Sequence, residues 1–246
     1  GATCPPGRAG QRLLAPTLQA VYGDPNRIGA LQIQGSFNEN RYDELAFLFE
    51  RRMRKVTFRA TYVLSGAYAY GGQIAGSAYF TQPPAVYNQP FGPGEWGPTN
   101  TDERHRVVLF GVFELPWGIQ ASPVMRLASA RPYNLLSGLD PYGRSVGAVL
   151  TQRWTDPATG QMVPVYSARG DSTFLTDMRV TKFLNMAKGQ RIGLFAEFFN
   201  LFNTVNFGEQ YQGNSRSVVF KQPVGYLAGG YGTYPFLVQL GARFEF

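Results

Sequence analysis

Phe236-Leu-Val-Gln-Leu-Gly-Ala-Arg-Phe-Glu-Phe246 follows a period of two, broken only by Leu237. Phe236, Val238, Leu240, Ala242, Phe244 and Phe246 fall on one side of an extended chain. Leu237, Gln239, Gly241, Arg243 and Glu245 fall on the other. Successive side chains of a strand point to opposite faces. A strand with one apolar and one largely polar face, ending on an aromatic residue, fits a barrel wall between lipid and water.

The same period recurs upstream. Leu45, Phe47 and Phe49 oppose Glu44, Ala46, Leu48 and Glu50. Val56, Phe58, Ala60, Tyr62 and Leu64 oppose Thr57, Arg59, Thr61, Val63 and Ser65. Ile119 to Leu127 and Ile192 to Phe198 repeat it, while 105–115 and 172–183 alternate less cleanly. The pattern predicts strands over 13–22, 28–37, 42–52, 55–68, 104–115, 118–129, 172–183, 190–202 and 235–246. Most have the roughly 9–11 residues that a tilted membrane strand needs.

The expected connections are of two kinds. Gly23–Arg27, Met53–Arg54, Pro116–Trp117 and Asn185–Gly189 are short. The segments 70–103, 130–171 and 203–234 are long and rich in Gly, Pro, Tyr and Asn. With Phe246 on the periplasmic side, parity puts every long segment outside, with Asn38–Arg41 as the one short connection there. Long loops at one end and short turns at the other are the habit of outer-membrane barrels. A soluble β-sandwich or a propeller fragment also alternates. Three loops of about 30 residues or more are unusual in such compact domains. The expected fold is therefore all-β: an antiparallel transmembrane β-barrel segment of about eight or nine strands, with long extracellular loops and short periplasmic turns. Residues 1–27 form an N-terminal segment with one strand and a turn, and 28–246 form the barrel segment.

Composition agrees. Of 246 residues, 44% are hydrophobic and 16% charged, below the roughly 25% charge usual in soluble domains. No run of 18 apolar residues marks a transmembrane helix. The single cysteine, Cys4, excludes a disulfide framework and a cysteine-based metal site. The net charge of +7 is compatible with nucleic acid, but no nucleic-acid motif is present. A basic barrel facing acidic lipopolysaccharide explains the charge as well.

Catalytic chemistry has little to work with. His105 is the only histidine, which argues against a nucleophile–His pair or a multi-His metal site. It reads as a hydrogen-bonding residue at the outer end of a strand. Glu44, Glu50, Glu114, Asp177, Glu197 and Glu245 lie on or near strands. They are expected to face the lumen and meet Arg59, Arg106, Arg126, Arg179, Arg191 and Arg243 in charge ladders rather than to work as paired catalytic acids. No P-loop or strand-linked dinucleotide fingerprint occurs, and Arg169-Gly170-Asp171 reads as a chance tripeptide. No enzyme activity, cofactor or metal is expected. Tyr62, Tyr68, Trp117 and Phe246 are the expected membrane-girdle aromatics.

Several segments together resemble one family. Arg191-Ile-Gly-Leu-Phe-Ala-Glu-Phe-Phe-Asn-Leu-Phe-Asn-Thr-Val-Asn-Phe207 resembles the NLFN…NF strand of TonB-dependent receptors, and Asp177-Met-Arg-Val-Thr-Lys182 the strand before it. Asp102-Glu-Arg-His-Arg106 with Glu114-Leu-Pro-Trp-Gly118 is similar to a hairpin of the Oar-like members, which carry a carboxypeptidase-regulatory-like domain. Ser129-Ala-Arg-Pro-Tyr-Asn134 is similar to their SGRPYN segment, with Ala130 in place of Gly, and Tyr42 to Leu64 resembles a further hairpin. Asp140-Pro-Tyr-Gly-Arg144 stands where these proteins often carry a run richer in Asp, Asn and Gly.

The resemblance implies the C-terminal part of an outer-membrane receptor whose full barrel has ~22 strands around a plug. No plug or TonB box is seen in this sequence, so the expectation is a chain that was cut or is separately encoded. Its partners would be outer-membrane lipid and lipopolysaccharide, and the remaining N-terminal barrel and plug polypeptide or other subunits. TonB would act only through the missing part. Trp96, Arg144, Trp154 and Tyr211, in the long loops, are the candidate ligand contacts. They suit a sugar, a peptide or a chelate. A structural subunit of an outer-membrane complex, or a small autonomous eight-stranded barrel, is the alternative.

Overall fold

Where the sequence alternates, the backbone is extended. The computed structural model describes residues 15–24, 39–71, 91–139, 153–227 and 234–246. Its strands are β1 (Asn40–Met53), β2 (Val56–Tyr70), β3 (Trp96–Pro98), β4 (His105–Leu115), β5 (Ile119–Ala128), β6 (Pro132–Tyr133), β7 (Ala168–Arg169), β8 (Thr173–Asn185), β9 (Arg191–Phe199) and β10 (Leu237–Glu245). The long strands form one antiparallel meander in the order β1-β2-β4-β5-β8-β9-β10. Strand β3 extends the far end of β2, and β6 pairs with β7 in a separate ribbon. Among the described residues the sheet is open, with β1 and β10 at its edges.

Seven of the nine expected strands are present. The expected strand 28–37 lies outside the described residues. The expected strand 13–22 is a correction: Ala15–Tyr22 is a helix, α1. Its residues do not alternate, and Pro16 sits in the first turn, where its missing N–H costs nothing. Gly23, at φ 70°, ends the helix as its N–H bonds back to the Gln19 carbonyl. Strand β9 stops three residues earlier than expected because Asn200 turns the chain at φ 48°.

Register sorts the side chains into two faces. Glu50 lies opposite Arg59, Arg59 opposite Phe110, Phe110 opposite Val124, Val124 opposite Asp177, Arg179 opposite Glu197, and Glu197 opposite Gln239. This face carries the charge. The other carries Leu45, Phe47, Phe49, Phe58, Leu109, Met125, Leu194, Val238 and Leu240. Many of these are bare, Leu240 at 77% exposure. Among the described residues no second sheet covers either face as the layers of a sandwich cover each other. So wide an apolar surface is characteristic of contact with lipid.

The charged face is held by ladders. Arg59 donates to Glu50 at 2.5 and 3.0 Å, Arg179 pairs with Glu197 and Arg191 with Glu245, and Gln120 donates to Glu114 at 3.1 Å. The less clean alternation of β4 and β8 has a cause here. Phe110, Phe195 and Phe183 sit on the charged face beneath guanidiniums, Arg59 at 5.7 Å, Arg179 at 4.8 Å and Arg191 at 4.5 Å from the ring centres. Arginine makes an aromatic ring acceptable on a wet face.

All three long connections leave the same end of the sheet. The short turns at 54–55, Pro116–Gly118 and Ala187–Gly189 lie at the other. Two adjacent positions of β10 test the two faces. Leu240→Arg is expected to lower bilayer-folding stability by about 2–4 kcal/mol, while Gln239→Arg is nearly silent. Leu240→Phe is tolerated because lipid yields, whereas a packed core would charge about 1–3 kcal/mol for it. Equal loss at 239 and 240, or a large loss for the Phe variant, counts against a lipid-facing wall.

Candidate functional site

Apart from Ala69 near the end of β2, the residues that are buried most completely are not in the sheet wall but in the long loops, and many are polar. Glu95, Thr99, Asp102, Asn200 and Asn206 are all at 2% exposure or less, beside Val165 at 1%. A buried polar group must find partners, and these find them across loops far apart in sequence. The first connection lies between β2 and β4, the second between β5 and β8, the third between β9 and β10. Together they make one cap.

Charged pairs join the first connection to the second. Arg153 donates to the Glu95 carboxylate and, at 2.7 Å, to the Gly94 carbonyl. Both side chains are 3% exposed. Burial lowers the Arg153 guanidinium to about 10, so it remains charged at neutral pH. Arg169 donates to Asp102 at 2.7 Å and to the Ala130 carbonyl. The second oxygen of Asp102 accepts the Ala67 N–H at 2.9 Å, tying the cap to β2. Arg131 donates to Glu103 at 2.8 Å.

Asparagines do the same for the third connection. Asn206 accepts the Phe174 N–H at 2.8 Å and donates to the Phe174 carbonyl at 3.0 Å, imitating a strand neighbour at the top of β8. Asn200 donates to the carbonyls of Thr204 and Tyr234, and its backbone N–H reaches Asp177 at 2.9 Å. Asn203 accepts the Phe236 N–H. Asn200 and Asn203 both have φ near 50°, a conformation that asparagine tolerates better than most residues. The NLFN segment is therefore a clamp that returns the chain to β10. Asn134, which ends the SGRPYN-like segment, accepts the Tyr166 N–H at 2.6 Å. Gly170 fits where a β-carbon would stand 1.8 Å from the Gly208 carbonyl oxygen.

The tripeptide Arg169-Gly170-Asp171 is thus consumed within the cap. Asp171 meets the Tyr211 phenol, which burial and then that carboxylate push up to about 12. Below the cap, the charged face of β5, β8, β9 and β10 holds a concavity of about 410 Å³, lined among others by Gln120, Asp177, Arg179, Phe195, Glu197 and Arg243. Among the described residues no group of three or more His, Cys, Asp or Glu could hold a metal ion.

Residues 4–130, just over half of the chain, match the family model described as the outer membrane beta barrel domain. This chain belongs to that family. The membrane is then the bacterial outer membrane, the long loops are extracellular and the short turns periplasmic. No curated protein and no solved structure matches the chain.

The expected site residues of this outer-membrane barrel protein separate. Trp154 and Tyr211 lie in the cap, both half-buried. Trp154 meets Phe220 edge-on at 5.6 Å with the Lys221 ammonium 4.9 Å from its ring, and Tyr211 stacks on Tyr133 at 5.2 Å. Each joins the second loop to the third. Trp96 does not join them. It continues the apolar face through β3, stacked on Tyr68 and edge-on to Tyr70, so its place is with the girdle aromatics. Arg144 lies outside the described residues. Tyr62 and Tyr68 are on the apolar face near its extracellular end, where the Tyr62 hydroxyl and His105 Nδ1 are 2.8 Å apart. Trp117, at 82% exposure, and Phe246, fully exposed, mark the periplasmic end. Sequence reading missed Glu95, Arg153, Asp102 as a cap residue, and the asparagine clamps. Only the motif segments around Asp102, Asn134 and Asn200 carried any signal.

Arg153→Met is expected to loosen the cap by about 3–5 kcal/mol, because Glu95 is left buried and unpaired. The double variant Glu95→Leu, Arg153→Met recovers most of that, and limited proteolysis of the loops reports both. Sensitivity of the double variant equal to that of the single one would contradict the pairing.

Tyr211 supplies a pH signature. Its folded value lies above the ordinary 10, so its contribution to stability is complete below pH 10 and is lost as pH rises from 10 towards 12. Loop protection from proteolysis or hydrogen exchange is expected to fall across that window and to flatten in Tyr211→Phe. An unchanged pH profile in the variant contradicts the assignment.

Proposed function

We propose that this chain is the C-terminal part of the barrel wall of a TonB-dependent receptor of the Oar-like type, acting in uptake across the outer membrane. The observation that carries this reading is the cap. The described parts of the three long loops are joined into one preorganised extracellular surface above a charged interior face, and preorganisation lowers the cost of holding a ligand. The family-like segments supply part of that locking, through Asp102, Asn134, Asn200 and Asn206. Trp154 and Tyr211 are the candidate ligand contacts on the cap, with Arg144 beside them in sequence terms. Their chemistry suits a sugar, a peptide or a chelate. The chain works as a wall and a lip, without catalysis or nucleic acid. A plug and the rest of the barrel come from the remaining receptor polypeptide, through which TonB acts, and lipopolysaccharide and lipid surround the wall.

One observation favours a second reading. Seven long strands leave β1 and β10 running in the same direction, so an odd number of further strands is needed for antiparallel closure. One is the smallest odd number, and the sequence assigns a strand to 28–37. A small autonomous eight-stranded barrel is that outcome.

Saturable uptake measured in cells separates the two. For the receptor, uptake is expected to stop when the proton motive force is collapsed, and Trp154→Ala with Tyr211→Ala raises the half-saturating concentration by about tenfold or more. Non-saturable flux that ignores the energy state overturns the receptor reading in favour of the small barrel.

A further inference from the structure

We propose that the periplasmic rim binds the headgroups of anionic phospholipids, through Arg51, Arg54 and Lys55 at the β1–β2 turn and Lys182 beside Trp117. The register places Arg51 on the apolar face, beside Met53 and opposite Phe58, and Lys182 on the same face opposite Ile119. Arg54 and Lys55 form the turn between β1 and β2. An arginine or lysine on the lipid side is costly at mid-bilayer but not at its edge, where a long side chain can reach the headgroups. These four positions are all at the turn end.

The acids at this end point the other way. Glu50, Glu114 and Glu245 are on the charged face, and each is already engaged: Glu50 by Arg52 and Arg59, Glu114 by Gln120, Glu245 by Arg191 and Arg243. Among the described residues, Arg51, Arg54 and Lys55 make no ion pair, and no acid shares the outer face with them near the turns. The Lys182 ammonium is held on the Trp117 carbonyl, which leaves two of its three N–H groups to donate. The same contact fixes the turn in which Trp117 stands, at φ 62° and 82% exposure. An exposed indole prefers headgroup depth. Four cations without outer-face acids, on the same rim as an aromatic at that depth, are complementary to phosphate on a bilayer surface. The occupant is the phospholipid of the periplasmic leaflet, since the other leaflet meets the opposite end of the strands.

The test uses the native polypeptide with every tryptophan but Trp117 replaced by Phe, in phosphatidylcholine bilayers. Brominated-chain phosphatidylglycerol or brominated-chain phosphatidylcholine is added at equal fraction, and quenching of Trp117 gives their relative association. A single basic residue near an anionic surface contributes about five-fold, so a preference for phosphatidylglycerol of about five-fold or more is expected. It should fall to near unity in Arg51→Gln, Arg54→Gln, Lys55→Gln, Lys182→Gln, and persist in Arg216→Gln, Lys221→Gln at the cap. If the quadruple variant does not insert, 1 M salt on the parent replaces it, and the preference must shrink as screening predicts. Equal quenching by the two lipids, or a preference indifferent to both the substitutions and salt, overturns the proposal.

Discussion

A backbone that crosses hydrocarbon can leave no N–H or C=O without a partner, and in this protein β2, β4, β5, β8 and β9 meet that demand through a neighbour on each side, while β1 and β10 each have one neighbour among the described residues. Everything else about the wall follows. Once the strands are tied edge to edge, their two faces are set by a period of two. One faces lipid and must be apolar. The other can carry Glu50, Arg59, Arg179, Glu197, Arg191 and Glu245, paired across adjacent strands. These exposed pairs add little stability individually. Their consequence is to compensate charge on the inner face and to cover Phe110, Phe183 and Phe195.

A wall one sheet thick has no interior of its own, so the tightly packed core has to be elsewhere. It is in the cap, and its polarity is a consequence of what loops are made of. Loop backbone arrives with unpaired groups, and Asn200, Asn203, Asn206, Asn134 and Asp102 each capture one or more of them. The buried pairs Arg153–Glu95 and Arg169–Asp102 bring segments roughly 60 residues apart into register. Buried charge is a poor source of net stability, but removing one partner is costly. This asymmetry suits a surface that must hold a single arrangement between strands that supply no layer to pack against.

The wall was legible in the sequence because period two is a local signal that tertiary context could not override. The strand ends were legible to within a few residues for the same reason. Ala15–Tyr22 is a helix where strand is expected, because its apolar residues lack the alternation that marks a strand and Pro16 and Gly23 bracket a helix. Trp96 was placed with the loops because nothing local shows that three residues after a long connection return to pair with Tyr68–Tyr70. The cap itself was the least legible part. Glu95 and Arg153 are 58 positions apart, and no spacing rule connects them. The asparagines were visible as a family-like string, but their role as backbone clamps needed Phe174, Thr204 and Tyr234 in place.

The open edges follow from the same count of strands. Strand β1 begins at the extracellular end and descends, and so does β10, because an odd number of antiparallel strands separates one direction from its repeat. Two copies inserted the same way would offer each other only descending edges, whether β1 meets β10 of the second copy or its own counterpart. Every such union is parallel, and parallel strands within a meander of hairpins have no precedent in the hydrogen-bond pattern the rest of the wall uses. Simple multiplication of the described strands therefore cannot seal the sheet in the manner in which it is built. An ascending strand has to stand between a β10 and a β1. The residues that face those edges set what it must look like: apolar towards lipid beside Val238, Leu240 and Leu45, and able to meet Gln239, Arg243 and Glu44 on the inner side.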